Sequence, residues 1–169
     1  MALLNVAMVC LGNICRSPMA AAVLSNKAQN LTEVGIIVSS SGTSAWHIGE
    51  GPHPTSKQVW EKAGYLHDHK ATQFKVNDYF VNDYILVMDS SNFENVISLA
   101  PSQEDASKVF YLRSFDPALS HIDPMSGDFF KLEVPDPYNQ TEDAYRTVLE
   151  MIESAVDGFL ASVIQDHGA

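Results

Sequence analysis

The chain has 169 residues, 46% of them hydrophobic, and a formal net charge of −11. That size and apolar fraction suit one domain with a real core, while the charge argues against nucleic acid and anionic membrane surfaces, which both call for basic patches. The cysteines, Cys10 and Cys15, suit a reducing compartment such as the cytoplasm better than a disulfide-framed secreted domain, and no apolar run approaches the ~18 residues that a membrane span needs.

Apolar runs alternate with helical patterns along the chain. Met1-Ala2-Leu3-Leu4 carries no basic segment and leads to no small-residue cleavage site. It reads as the start of a buried strand, Leu3–Val9, rather than as a leader. Gly12 and Asn13 suit a tight loop, because both tolerate left-handed backbone. A helix is expected over Pro18–Gln29, with Ser17 as N-cap and Pro18 at the first helical position. Gly35–Ser40 reads as a second strand and Thr55–Ala63 as a helix stopped by Gly64. Tyr84–Met88 is a buried third strand, Ser90–Leu99 a helix ended by Pro101, and Val109–Leu112 a short fourth strand. Residues 113–140 form a long loop holding Asp116-Pro117, Asp123-Pro124 and Asp136-Pro137, and loops of that length are usually functional. From Thr141 to Ile164, the residues Tyr145, Val148, Leu149, Ile152, Val156, Phe159, Leu160 and Val163 form an apolar stripe at helical spacing. Asn139 and Glu142 resemble a capping box for that helix.

This alternation implies an α/β fold: a single-domain parallel four-stranded sheet with helices on both faces. Ligands of such sheets bind beyond the carboxyl ends of the strands. The loop after strand one lies there, and residues 10–18 read Cys-Leu-Gly-Asn-Ile-Cys-Arg-Ser-Pro. A strand–loop–helix of this shape turns its backbone N–H groups inward and cradles a tetrahedral oxyanion at a helix N-terminus. Arg16 can close the cradle with a bidentate grip on two phosphate oxygens. Cys10 lies at its base, where the same amides and dipole favour the thiolate, the nucleophilic form. The competing readings are weaker. A zinc framework wants two cysteine pairs, and the chain has only Cys10 and Cys15; a nucleotide loop wants Gly-Lys-Ser/Thr. No metal and no cofactor is expected.

Residues 10–18 resemble the signature of low-molecular-weight protein tyrosine phosphatases. Further stretches match in order: Ser40-Ser41-Gly42-Thr43 with Trp46-His47 and Gly49, then Tyr84 to Asp89, then Asp136-Pro137-Tyr138. The resemblance covers nearly all of the chain, implies one such domain over residues 1–169, and implies the strand order 2-1-3-4. It further implies a phosphatase acting on phosphotyrosine-containing proteins through a phosphocysteine. Cys10 is the expected nucleophile, Arg16 and the amides of Leu11, Gly12, Asn13, Ile14 and Cys15 the expected phosphate site, and Asp136 the expected general acid. A tyrosine leaving group, with a pKa of about 10, needs a proton as it departs.

Ser17 has two compatible readings, an N-cap and a hydrogen-bond donor to the Cys10 sulfur. Trp46 and Tyr138 are expected to wall the mouth around a phenyl ring. The family's supported asparagine implies Asn13 held by Ser40 and His69. Cys15 is either a small packed residue or, by resemblance, a partner for Cys10 in a reversible disulfide, which makes the site redox-sensitive. The same scaffold also serves protein arginine phosphatases, which usually carry threonine where Ile14 stands, and thiol-linked arsenate reductases, which need additional relay cysteines.

Overall fold

The computed structural model describes residues 1–168; the expected domain extends one residue further, to Ala169, which lies outside the described residues. Strand β1 spans Ala2–Cys10 and lies between β2, Val34–Gly42, and β3, Tyr84–Val87, with β4, Val109–Tyr111, beyond β3. The order is thus 2-1-3-4 and every pairing is parallel, as expected. Alternate side chains of a strand face opposite sides of a sheet. Leu4, Val6 and Met8 accordingly face the helices α1, Arg16–Ala28, and α6, Glu142–His167. Val9, Ile85 and Val87 face the other side, against Phe74, Tyr79 and Val96. The helix α2, Pro54–Lys62, joins the first cluster through Val59 and Trp60, while α4, Ser90–Ile97, covers the second. Single-turn helices α3, Asp78–Val81, and α5, Gln103–Ala106, complete the chain order; neither is evident from apolar periodicity, since four residues are too few to show it.

Several local expectations need correction. Ser17 does not cap α1: the helix begins at Arg16 and Cys15 holds the cap position without a side-chain capping bond. The Ser17 hydroxyl is taken up by Cys10 and Asn13, and Pro18 is tolerated in the first turn, whose N–H groups have no intrahelical partner anyway. The Asn139 capping box is also absent. Asn139 adopts left-handed backbone, φ +63°, after the Asp136-Pro137 turn, so the chain enters α6 two residues later, with the Thr141 side chain accepting from the Ala144 N–H. Glu142 instead pairs with Lys62 and Arg146. Helix α4 stops at Ile97 because its last turn tightens, with Leu99 N–H donating to Val96 and Ala100 N–H to Ile97. Gly12 is not left-handed; its missing Cβ matters because one would lie 3.0 Å from the His47 ring. Gly64 does take φ +95°, as a helix stop requires.

The long loop is not featureless. It folds as three 3₁₀ turns, Leu112–Phe115, Pro117–Leu119 and Phe129–Leu132. The first is fastened to α6: Phe115 meets Phe159 edge to face at 5.0 Å, and the Phe115 carbonyl lies where a Gly158 side chain would be. A Cβ on Gly158 would fall 1.8 Å from that oxygen. Gly158→Ala is therefore expected to lose about 3 kcal/mol of stability by overpacking, read from its urea midpoint. A loss below about 0.5 kcal/mol, the size of an ordinary surface change, would mean that the loop is not pinned there.

Candidate active site

The loop leaving β1 is held by its carbonyls. Those of Cys10 and Leu11 accept from the N–H groups of Thr43 and Ser44, each at 2.9 Å. The Asn13 carbonyl accepts from His69 Nε2 at 2.5 Å, that of Ile14 from the His53 N–H at 2.8 Å, and that of Cys15 from Ser56 Oγ at 2.8 Å. In a trans peptide the C=O and the following N–H point opposite ways. Tying these carbonyls outward turns the N–H groups of residues 11, 12, 14, 15 and 16 inward. The Asn13 N–H also points in, donating to Cys10 Sγ at 3.3 Å. Gly42 lets the loop sit this close to β2, since a Cβ there would lie 2.7 Å from the Leu11 carbonyl.

Asn13 is fully buried at φ +58°. Its Nδ2 donates to Ser17 Oγ at 2.8 Å and Ser40 Oγ at 3.0 Å, while its Oδ1 accepts from the Thr72 N–H at 3.0 Å. Because the Ser17 oxygen accepts from Asn13, its one proton is free for Cys10 Sγ, 3.0 Å away; the Ser41 carbonyl is a poorer target at 3.4 Å. Burial lowers the His69 pKa, the Asn13 bond opposing it only in part, so the ring is neutral and places its proton on the nitrogen facing Asn13.

Arg16 is 2% exposed. Its Nη1 donates to Asp89 Oδ2 at 2.6 Å and to the Val134 carbonyl at 3.0 Å, and its Nη2 lies 3.7 Å from Asp136 Oδ2. Burial works against the charged guanidinium, but Cys10 and Asp89 outweigh it and hold the Arg16 pKa above its ordinary value. Asp89 also caps α4, its Oδ1 accepting from the Asn92 N–H at 2.8 Å. Sequence reasoning missed this carboxylate. The signal available was its place at the carboxyl end of a central parallel strand, where ligands gather.

Cys10, Leu11, Gly12, Ile14, Cys15, Arg16, Trp46, His47, Asp136 and Tyr138 line one cavity. Trp46 is 72% and Tyr138 47% exposed, so both stand at its rim rather than in the core. All three Asp-Pro pairs make the same local turn: Asp116, Asp123 and Asp136 each accept from the N–H two residues on, at 2.9, 2.8 and 3.1 Å. Of the three, only Asp136 lines this cavity. Among the described residues no cluster of His, Cys, Asp or Glu is placed to hold a metal ion, and no helix is long and apolar enough to cross a membrane.

The Cys15 side chain is buried, its Sγ 3.5 Å from the Tyr145 hydroxyl of α6, and neither cysteine is in a disulfide. Burial pushes the Cys15 thiol up to about 12, more than the Tyr145 bond brings it down.

A buried thiol and a buried arginine in a loop of inward amides, at the carboxyl end of a 2-1-3-4 sheet, define the class of cysteine-based phosphatases. A sequence profile described as low molecular weight phosphotyrosine protein phosphatase matches residues 5–168, and the chain belongs to that family. It is 41% identical over 161 residues to a low molecular weight protein-tyrosine-phosphatase of Streptomyces coelicolor, covering 94% of this chain and 93% of the relative. Among solved structures it is similar to a protein tyrosine phosphatase of Entamoeba histolytica, with TM-score 0.84, 30% identity, and 96% and 98% of the two chains covered. A Drosophila arginine phosphatase shares the fold at TM-score 0.79 and 26% identity, over 93% and 96% of the chains.

The two cysteines should differ sharply in reactivity. At neutral pH, iodoacetamide is expected to alkylate Cys10 and spare Cys15 in the folded protein, as peptide mapping by mass spectrometry would reveal. Comparable labelling of Cys15 would contradict its burial as a protonated thiol.

Proposed function

We propose that the chain hydrolyses phosphotyrosine in proteins by two displacements at phosphorus, carried out by Cys10, Arg16 and Asp136. The observation that carries this reading is one cavity that holds all three groups and is rimmed by two aromatic side chains. The phosphate sits in the ring of inward amides, with the Arg16 fork on its oxygens. Arg16 is aimed in advance by Asp89 and Val134, so little reorganisation is needed when charge develops. The Cys10 sulfur attacks phosphorus while Asp136 gives its proton to the departing phenolic oxygen. Water, deprotonated by the resulting carboxylate, then cleaves the phosphocysteine and releases inorganic phosphate. The Ser17 hydroxyl stabilises negative charge on sulfur before attack and as it leaves. Asn13, with Ser40 and His69, keeps the loop in its binding shape. No step calls for a metal ion, so EDTA should leave turnover intact.

Trp46 and Tyr138 give a phenyl ring two faces to rest on. Ile14 lines the same cavity and adds apolar surface, which suits a flat ring better than a guanidinium and favours phosphotyrosine over phosphoarginine. Arsenate reduction lacks support, because the chain has no relay cysteine beyond Cys15. We place the protein in the reducing cytoplasm, where an activated thiolate is kept usable.

Two outcomes test the assignment. Cys10→Ser should abolish turnover while vanadate still binds, measured by calorimetry; turnover near wild type would remove the nucleophile. Asp136→Asn should slow phosphotyrosine hydrolysis by roughly 10²–10⁴-fold, with the loss shrinking along a series of aryl phosphates of falling leaving-group pKa. Burst kinetics would establish that the first displacement is being read. An equal loss for all substrates, or the graded loss in Asp116→Asn or Asp123→Asn, would reassign the acid.

A further inference from the structure

His53 does not line the cavity yet touches two residues that do, Ile14 and Tyr138. Its backbone N–H holds the Ile14 carbonyl at 2.8 Å, and its Nδ1 accepts from the Thr55 N–H at 3.2 Å as the N-cap of α2. Its ring stacks on Tyr145, with centroids 5.3 Å apart and planes 22° from parallel. Tyr145 is fully buried in the main core, and its hydroxyl lies 3.3 Å from His53 Nδ1. On its other side the His53 ring meets Tyr138 edge to face at 5.8 Å and 83°. It therefore stands between a fully buried ring of the core and the half-exposed ring at the rim.

Among the described residues His53 is the sole aromatic partner of Tyr138, and the Tyr138 hydroxyl makes no hydrogen bond. The Tyr138 N–H is held by the Asp136 carboxylate. Rim ring and acid thus share one turn, and the side-chain end of that turn rests on His53. A looser Tyr138 would stack less well on a substrate ring and would also let the Asp136 turn move. Trp46, across the cavity, has no aromatic partner among the described pairs, so the Tyr138 side is the preorganised wall.

We propose that His53 is a positioning and specificity-determining residue, whose ring fixes Tyr138 and so sets the preference for aromatic over non-aromatic phosphate esters and anhydrides. This rests on the phosphotyrosine-phosphatase reading of the cavity. It assigns His53 no contact with substrate and no proton transfer.

Two substitutions separate the jobs of this residue. Asparagine caps a helix at least as well as other residues and leaves the backbone bond to Ile14, but has no ring. Phenylalanine keeps a ring between Tyr145 and Tyr138 and loses the cap. The probes are para-nitrophenyl phosphate and phosphotyrosine as aryl substrates, with acetyl phosphate as a substrate that has no ring and needs little acid help.

In His53→Asn, KM for the aryl substrates should rise about two- to tenfold, the effect of one edge-to-face aromatic contact. KM for acetyl phosphate and competitive inhibition by inorganic phosphate should stay within about twofold of wild type. His53→Phe should melt lower yet keep the wild-type aryl-to-acetyl ratio. Tyr138→Ala made in the His53→Asn background should add little further loss on aryl substrates, since both changes remove one wall. An unchanged aryl-to-acetyl ratio in His53→Asn would overturn the proposal, as would equal losses on aryl and acetyl substrates or full additivity with Tyr138→Ala. A wild-type protein that hydrolyses acetyl phosphate but no aryl phosphate would instead overturn the underlying functional reading.

Discussion

Everything in the site depends on forcing Asn13 into left-handed backbone. That conformation costs an L-residue roughly 1–2 kcal/mol, and the four hydrogen bonds of its side chain and carbonyl, at about 1 kcal/mol each, more than offset it. Their partners come from α1, β2 and the segment before α3, so the strained residue draws on much of the fold. The result is a short loop whose carbonyls face outward and whose amides face one point above Cys10. Gly42, with no side chain, permits the approach.

The second constraint is the burial of a cation in a protein of net charge −11. A buried arginine is tolerable only when paired and aimed. Asp89 and the Val134 carbonyl do both, and they arrive from different directions: the end of β3 and the far end of the long loop. Val134 N–H donates to the Met88 carbonyl, just past β3, at 2.7 Å, and Ser90 N–H holds Glu133 at 2.7 Å. The loop segment bearing Asp136 is therefore docked within a few residues of the proposed acid, and Gly158 allows the loop's beginning to close on α6. Local positive charge is built by amides and one guanidinium, not by the surface.

A third feature is the graded exposure of aromatic rings from core to rim. Tyr145 is sealed, His53 is half-buried and Tyr138 stands open, each touching the next. This series links the core face of α6 to the proposed rim of the cavity. Cys15 Sγ meets the same Tyr145 hydroxyl, which ties the loop to the same helix.

The alternation of four strands with the longer helices, the two-faced sheet and the loop of residues 10–18 were legible in the sequence, because each rests on local spacing: apolar runs, a helical stripe in α6, and a glycine, asparagine and arginine at fixed offsets. The sheet order 2-1-3-4 came from the family resemblance, and the single-turn helices α3 and α5 were too short to show. Element ends were less legible where a residue had two possible jobs. Ser17 and Asn139 both look like caps, and both are taken by other demands, hydrogen bonds to Cys10 and Asn13 in one case and a left-handed turn in the other. The three Asp-Pro pairs show the limit most plainly. Their turns are chemically alike, since an aspartate side chain accepting from the second N–H onward is a local event that neighbouring residues suffice to produce. Which one stands 3.7 Å from Arg16, and that Asp89 and His53 support the site at all, follows from how β3, α2 and α6 meet around one loop. Those contacts join residues tens of positions apart, and only their packing in three dimensions brings them together.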